Sequence, residues 1–430
     1  MKVKVIGAGL AGAEAAYYLA RRGVKVALFD IKPHAFSPAH KSPYFAELVC
    51  SNSLKSADVY GNAAGLLKEE MRLLGSITME AAEYSKVPAG GALAVNREEF
   101  SAFITDKLKN HPNIEFVSEE ITEIPTDGFT IIATGPLTTE KLSAALKKVA
   151  GALSFYDASA PIIAADSIDT EYAFKGDRYG KGDGDHLNCP MNKEEYDAFY
   201  DALINAERAE LHEFEKSEIF EGCMPVEVMA ARGKDTLRFG PLKPVGLDDP
   251  KTGRWAYATL QLRKENKAGT MYNMVGFQTN LKFGEQKRVF SMIPALKNAE
   301  FLRYGVMHRN TFINSPTALN FDYSFKECPN VFIAGQLSGV EGYVESAGSG
   351  LLAAIYLERK LKGEREILIS ENTVLGALAR YVATGNKDFE PMNANFGILP
   401  PLTVRDKKER KRLMAERSLA AVKEFLSEIN

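Results

Sequence analysis

The sequence predicts an α/β fold in which a Rossmann-like dinucleotide-binding domain is interrupted by a mixed α+β insertion domain. A GxGxxG motif lies between two short apolar strands near the start of the chain, and a second strand with a glycine-rich turn follows at residues 330–350. Between them, the pattern changes to one typical of helices and antiparallel strands. We therefore expect residues 1–154 and 319–430 to form the dinucleotide-binding domain and residues 155–318 to form the insertion.

The composition is that of a folded globular protein, with 430 residues, 45% hydrophobic and 25% charged. Lys plus Arg number 53 against 56 Asp plus Glu, a net charge of −3, so a nucleic-acid partner would have to bind a local basic patch. The first residues have the pattern of a strand rather than of a secretory signal, and no uncharged apolar run reaches the roughly 18 residues of a membrane span. We expect a cytoplasmic protein.

The amino-terminal unit has the pattern of a strand at residues 3–6, a glycine turn, a helix at residues 11–22 and a second strand at residues 24–29. The first glycine permits a tight turn, the second lets the backbone approach a pyrophosphate, and the third lets the helix pack on the strand. The helix start offers free N–H groups to phosphates, and the acid that ends the second strand can bind a ribose diol. The predicted cofactor contacts are Gly7, Ala8, Gly9, Leu10, Ala11, Gly12 and Asp30.

Two later segments favour FAD over NAD. Residues 129–135 (FTIIATG) predict a buried strand that ends in glycine, and residues 330–350 predict a strand, a glycine-rich turn and a helix start. Such a returning strand is typical of two-dinucleotide-domain flavoproteins, many of which have an acid where this chain has Gln336. We add Gly135, Gly335 and Gln336 as cofactor contacts; an ordinary strand followed by a helix is the alternative.

The middle of the chain has three informative patterns. The polar run at residues 175–186 predicts a mobile surface loop rather than a calcium site. Asn192 and Glu195 predict a capped helix start, followed by an aromatic face that packs in a core. The alternation at residues 255–262 predicts antiparallel strands.

The four cysteines are too scattered for a disulfide framework, which indicates a reducing compartment. Cys50 lies in the polar segment ELVCSNSLKS, where Lys55 and a following helix would favour the thiolate. Cys223 lies in FEGCMPVE, where the flanking glycine and proline predict a turn. Cys328 is expected to be buried or inert, and Cys189 is ambiguous. Spacing alone leaves both functional and structural roles open for Cys50 and Cys223.

Further motifs follow one another along almost the whole chain: ELVCSNSLKS, VPAGGALAVNRE, RYGKG, LNCPM, FEGCMPVE, LRFGPLKPVGL, MHRNTFI and GQLSGVEGYVESAGSGL. Together with the GxGxxG unit, they resemble the folate- and FAD-dependent tRNA (uracil-5-)-methyltransferases, the TrmFO family. The larger GidA-type tRNA flavoproteins are similar at the amino end but carry an additional carboxy-terminal helical domain. The resemblance implies FAD as cofactor, methylenetetrahydrofolate and NAD(P)H as co-substrates, and the T arm of tRNA as partner.

The resemblance also implies the reaction. Family members move a methylene group from methylenetetrahydrofolate to carbon 5 of the T-loop uridine and reduce it to methyl with FADH2, which NAD(P)H regenerates. Carbon 5 becomes nucleophilic when a thiolate adds to carbon 6. Carried over by motif, Cys223 is assigned this attack and Cys50 the shielding or shuttling of the methylene; an exchange of the two roles remains open. The alternative function is a flavin oxidoreductase that acts on a small molecule.

Three further residues are expected at the folate or the flavin. Glu341 and Tyr343 lie in the glycine-rich turn, where a carboxylate can pair with the amino and ring N–H groups of a pterin. A helix-capping carboxylate is the alternative for Glu341. His308, within MHRNTFI, is a candidate for the pterin, and a surface turn is an equal alternative.

Two basic clusters are the predicted contacts for tRNA phosphates. Residues 405–412 (RDKKERKR) lead into an amphipathic helix, and residues 282–288 (KFGEQKR) form the second cluster. A solvated helix face is the alternative for each. The six histidines show no metal-binding spacing, so no metal site is expected.

Overall fold

The computed structural model describes residues 2–150, 152–180, 182, 184–209, 224–265, 268–305, 307–384 and 389–429, without the side chains of residues 152–158 and 308–310. Cys223, one of the two predicted catalytic cysteines, lies outside these residues. The elements of the first segment are β1 (Lys2–Ile6), α1 (Leu10–Arg21), β2 (Lys25–Asp30), β3 (Ser53–Ser56), α2 (Ala63–Leu73), α3 (Ile77–Tyr84), β4 (Lys86–Val87), β5 (Ala92–Val95), α4 (Arg97–Lys109), β6 (Ile114–Ser118), β7 (Thr130–Ile132) and α5 (Glu140–Ala150).

The rest of the chain has a strand-rich middle and a helical end. The middle contains β8 (Ala152–Ala158), β9 (Ile162–Ala164), β10 (Phe174–Lys175), β11 (Leu187–Met191), α6 (Lys193–Ile204), α7 (Val226–Ala231), α8 (Thr236–Phe239), β12 (Ala258–Lys264), β13 (Met271–Met274), α9 (Phe283–Phe290), β14 (Phe301–Arg303) and β15 (Met307–Ile313). The end contains α10 (Ser315–Ala318), β16 (Val331–Ile333), α11 (Tyr343–Leu361), α12 (Val374–Thr384) and α13 (Lys407–Ile429).

The main sheet has five parallel strands in the order β16-β7-β1-β2-β6. β1 lies at its centre because strands are added on both sides of it, with β2 on one side and β7 on the other. Such a switch point leaves a crevice beyond the carboxyl ends of the strands. The predicted Rossmann-like sheet is confirmed, and the last quarter of the chain returns to it through β16, which pairs with β7.

Close helix packing depends on glycine at two positions. A Cβ on Gly12 would lie 1.8 Å from the carbonyl oxygen of Gly7, and one on Gly350 would lie 2.2 Å from the carbonyl oxygen of Ala11. Neither distance is possible for a side chain, so α1 can approach both the first turn and α11 only because these residues are glycine. This contact joins the first and last parts of the chain into one core.

The middle of the chain builds a six-stranded sheet of its own, in the order β10-β11-β12-β13-β9-β14 and with antiparallel pairing throughout. It has a separate hydrophobic core, which contains the predicted aromatic side chains Tyr196 and Phe199. The predicted capping box of α6 is present, with Asn192 and Glu195 bonded reciprocally. The domain limits at 154/155 and 318/319 remain our proposal.

Buried Cys189 belongs to this second core, where burial raises the pKa of its thiol well above the usual range. Its ambiguous assignment from the sequence therefore resolves to an unreactive core residue. In the described part of the chain, no helix is both long and apolar enough to cross a membrane.

Candidate active site

A cavity of about 400 Å³ lies at the carboxyl ends of the main sheet. Its walls include the residues that directly follow β1, β7 and β16, while Ser159 and Gln278 from the middle of the chain form part of the wall. The residues predicted from the sequence that line it are Gly7, Ala8, Gly9, Leu10, Ala11, Asp30, Cys50, Gly135, Gly335, Gln336, Glu341 and Tyr343. The fold thus brings together in one cavity residues from opposite ends of the chain.

Two helix amino termini face this cavity without side-chain caps. The N-cap residues are Gly9 for α1 and Gly342 for α11, and neither helix start receives a side-chain hydrogen bond. By contrast, α2, α3, α4 and α6 are each capped by an Asn or Ser side chain. A Cβ on Gly9 would meet no atom within 4 Å, so a ligand can approach the backbone there. Uncapped N–H groups and the helix dipole suit an anionic group such as a pyrophosphate.

The carboxylate of Asp30 is fixed at the edge of the first glycine turn. Its Oδ2 accepts a hydrogen bond of 2.7 Å from the Ala8 N–H, and its Oδ1 accepts one of 2.9 Å from the Lys32 N–H. Each carboxylate oxygen has a second lone pair, which leaves acceptor capacity for the hydroxyls of a ribose. These features fit the adenosine half of FAD.

Tyr343 joins the far wall of the cavity to Cys50. Its hydroxyl oxygen accepts the N–H groups of Cys50 at 2.7 Å and Ser51 at 3.3 Å, and it lies 2.9 Å from the Cys50 sulfur. Because the two N–H groups occupy the oxygen lone pairs, the hydroxyl hydrogen is left to point at the sulfur. Burial, the largest cause, raises the pKa of Tyr343 well above its usual range, so the phenol keeps its proton and acts as donor.

Two guanidinium groups provide positive charge near this thiol. Arg97 and Arg303 are both close enough for the charge of Cys50 to act on them. A hydrogen-bond donor and nearby cations stabilise a thiolate. The sequence had attributed this effect to Lys55, but the ion pair that the structure shows for Lys55 is with Glu345, at 2.7 Å. The helix after Cys50 begins only at Ala63, so it does not supply the dipole that we expected.

At four other residues the structure differs from what the sequence suggested. Gly12 does not line the cavity, because it lies behind the turn against Gly7. Tyr343 is the first residue of α11 rather than part of the preceding turn, and Glu341 does not cap that helix but accepts a hydrogen bond of 2.8 Å from Gln336 Nε2. His308 belongs to β15, where it pairs with Asp157, so the surface-turn alternative is wrong; its side chain lies outside the described atoms.

Several residues of the site had no assigned role in the sequence analysis. Arg97 forms a double ion pair with Glu265, 168 residues away in the chain, and Lys32 pairs with cavity-lining Glu47 at 2.9 Å. A single sequence contains no local signal for such distant pairs, although Arg97 lies within the VPAGGALAVNRE motif. Among the described residues, no group of three or more His, Cys, Asp or Glu side chains is arranged to hold a metal ion.

Comparison with known proteins defines the class. The family model described as glucose inhibited division protein A matches residues 2–365. A structure of Aquifex aeolicus GidA (form II crystal) covers 100% of this chain and 73% of its own, with a TM-score of 0.72 at 16% identity. The form I structure covers 99% and 78%, with a TM-score of 0.70. The fold is therefore that of a GidA-type dinucleotide-binding flavoprotein.

Curated relatives narrow this class to a family. A protein from Acetivibrio thermocellus is 57% identical over 99% of this chain and 98% of its own length, and one from Heliobacterium modesticaldum is 58% identical over 100% and 98%. Both are named methylenetetrahydrofolate--tRNA-(uracil-5-)-methyltransferase TrmFO. The chain belongs to the TrmFO family. The resemblance seen in the sequence is confirmed, and the small-molecule oxidoreductase is not favoured.

Proposed function

We propose that this chain transfers the one-carbon unit of methylenetetrahydrofolate to carbon 5 of the T-loop uridine of tRNA and so forms 5-methyluridine. The observation that carries this proposal is a thiol, Cys50, held beside a dinucleotide cavity in a chain of the TrmFO family. FAD is the cofactor, NAD(P)H is the proposed source of its electrons, and the cytoplasm is the proposed compartment. When bound, reduced FAD supplies the hydride that converts the transferred methylene to methyl.

The residues of the cavity suit this cofactor. The glycine turn and the uncapped start of α1 would hold the pyrophosphate, and Asp30 the ribose. Gly335, which has a φ of 77°, and Gly135, which has a φ of 71°, provide backbone without side chains along the cavity. The start of α11 would orient the ring next to Tyr343 and therefore next to Cys50.

The chemistry divides between two thiols. We assign Cys223 the addition to uracil carbon 6, which places electron density on carbon 5 for attack on the methylene. Removal of the carbon 5 proton then breaks the bond between the methylene and its carrier, and the thiolate leaves carbon 6 when the exocyclic methylene is reduced to methyl. Cys50, whose sulfur receives the Tyr343 hydrogen, is assigned the shielding or shuttling of the methylene. His308 remains a proposed pterin contact, and Glu341 lines the same cavity.

A covalent-trapping experiment tests these roles. A T-arm RNA that contains 5-fluorouracil should stay attached to the thiol that adds to carbon 6, because fluorine cannot leave as the carbon 5 proton does. We expect the RNA adduct on denaturing gels to be lost in Cys223→Ala and kept in Cys50→Ala. Cys328→Ala is the matched control, since Cys328 does not line the cavity.

The opposite pattern, an adduct with Cys223→Ala but not with Cys50→Ala, would exchange the two roles. Methylation of unmodified tRNA by the wild-type protein with labelled methylenetetrahydrofolate and NAD(P)H tests the activity itself. Transfer that requires S-adenosylmethionine instead of the folate would overturn the proposed function. Turnover of NAD(P)H with a small acceptor and no transfer to RNA would support the oxidoreductase alternative.

A further inference from the structure

The segment that carries Cys50 is attached to the end of strand β12, which belongs to the middle sheet. Arg263 and Lys264 at the end of β12 contact this segment directly, and Glu265, the next residue, contacts it through Arg97. β12 is an inner strand, paired with both β11 and β13. The thiol at the dinucleotide cavity is therefore held in part by a rigid element of a different sheet.

Arg263 makes the most direct connection. Its Nε donates to Asn52 Oδ1 at 3.0 Å and its Nη2 donates to Ser51 Oγ at 2.9 Å, while Asn52 Nδ2 donates to the Lys264 carbonyl oxygen at 2.8 Å. Arg263 and Asn52 are both buried, with 7% and 0% of their surface exposed. Burial lowers the pKa of Arg263 to about 10, so the guanidinium remains charged at neutral pH. The planar guanidinium reaches the two acceptors in a fixed fork geometry.

Glu265 acts on the other side of the thiol through Arg97. The carboxylate receives Arg97 Nε at 2.9 Å and Nη2 at 3.1 Å, a two-point ion pair. The remaining Arg97 nitrogen, Nη1, donates to the carbonyl oxygens of Leu48 at 2.9 Å and Val49 at 2.8 Å. Glu265 thus fixes the Arg97 guanidinium, and this guanidinium in turn holds the two residues before Cys50.

We infer that Arg263 and Glu265 are positioning residues for Cys50: the middle sheet sets the place of this thiol from both sides. The residues before Cys50 are held through Arg97 and those after it through Arg263, while Tyr343 holds Cys50 itself. Loss of either guanidinium contact frees one end of the segment, and the sulfur then moves relative to the Tyr343 hydroxyl and the cavity. The hydrogen bonds shown for Arg263 and Glu265 go to other residues of the described chain and not to the Cys50 sulfur.

The test measures the alkylation rate of Cys50 by iodoacetamide in the FAD-loaded protein, with peptide mapping and Cys328 as the internal reference. In Arg263→Gln, loss of two charge-assisted hydrogen bonds should raise the rate by about tenfold, because the segment opens more often. Arg263→Lys keeps the charge and should give an intermediate rate. Asn52→Ala removes one of the two acceptors of Arg263 and the donor to the Lys264 carbonyl oxygen, so it should also accelerate alkylation, and its effect should add less than fully to that of Arg263→Gln.

Arg178→Gln is the matched control. Arg178 also contacts β12, because its Nε donates to Gln261 Oε1 at 3.0 Å. Its Nη1 donates to the Val245 carbonyl oxygen at 2.9 Å, and neither contact involves the Cys50 segment. It should leave the alkylation rate within twofold of wild type. Glu265→Gln should accelerate alkylation as Arg263→Gln does.

A second arm, which rests on the proposed function, measures methyl transfer. We expect kcat to fall about tenfold in Arg263→Gln, with KM for tRNA and folate within twofold, since the contact orients a thiol and binds no substrate. Equal acceleration of alkylation in Arg178→Gln, or an unchanged rate in both Arg263→Gln and Glu265→Gln, would overturn the inference. Because alkylation needs neither tRNA nor folate, an absence of methyl transfer in the wild type would count against the proposed function and not against this inference.

Discussion

The two walls of the cavity are built in different ways. The glycine wall, residues 7–11, 335–336 and 341–342, consists mainly of backbone: turns with positive φ and two helix starts without side-chain caps. The thiol wall, residues 48–55 together with Tyr343, is held by side chains from distant parts of the chain, above all Arg97 and Arg263. The first wall suits a cofactor shared by many enzymes, and the second fixes Cys50, one of the two thiols of the proposed reaction.

This difference indicates which property of the protein a substitution in each wall should change. Backbone geometry depends on the absence of side chains, so substitutions on the glycine wall should affect cofactor binding. The thiol wall depends on buried polar contacts, so substitutions there should alter the reaction and leave the cofactor bound.

The largest effect is expected from Gly12→Val, directly behind the glycine wall. The added Cβ would lie 1.8 Å from the Gly7 carbonyl oxygen, and the turn would have to move away from α1. We expect FAD affinity to fall by more than about 100-fold, measured by flavin fluorescence titration. Gly284→Val in α9, where a Cβ would meet nothing within 4 Å, is the matched control and should bind FAD normally. Normal FAD binding by Gly12→Val would contradict the role of close packing.

A smaller effect is expected from Tyr343→Phe on the thiol wall. The change leaves the N–H groups of Cys50 and Ser51 without the hydroxyl oxygen and removes the donor to the sulfur. We expect kcat to fall about tenfold while FAD remains bound, measured as methyl transfer and flavin absorbance. Tyr356→Phe is the matched control, since the Tyr356 hydroxyl accepts the Ile369 N–H elsewhere on the same helix. A similar loss of kcat in both variants would indicate a general effect on α11.

The smallest effect is expected from the basic start of α13, away from both walls. Lys407 and Lys408 are exposed, and no ion pair is shown for either among the described residues, whereas Arg412 pairs with Glu409 and Glu416. Reversal of both lysines to glutamate should weaken tRNA binding and lower the slope of log K against log salt by about 1.5 to 2. FAD should remain bound. The control is the same reversal at Lys147 and Lys148, and an unchanged slope would remove this patch from the interface.

The glycine wall could be predicted from the sequence because its signals are local. Strand, glycines, helix and acid follow one another within residues 2–30, and steric rules connect each glycine to its place. The second segment, from Val331 onward, could be predicted for the same reason. Even the exception is local, since Gly12 serves packing rather than cofactor contact.

The thiol wall could be predicted only in part. The resemblance identified Cys50, but its neighbours depend on how distant segments meet. Lys55 is close in sequence yet pairs with Glu345, whereas Glu265, far away in sequence, fixes the Arg97 that holds the Cys50 segment. Periodicity and spacing describe only neighbours along the chain, so they cannot predict such pairs.

The position of β16 beside β7, and of α11 against α1, also has a consequence for synthesis on the ribosome. β7 remains an open edge strand until β16 has emerged, and the face of α1 that meets α11 lacks its full cover until residue 361 has emerged. The middle sheet has its own core and can fold during this interval. The wall from Gly335 to Ser346 does not yet exist then, so FAD loading has to be a late event in the life of the nascent chain.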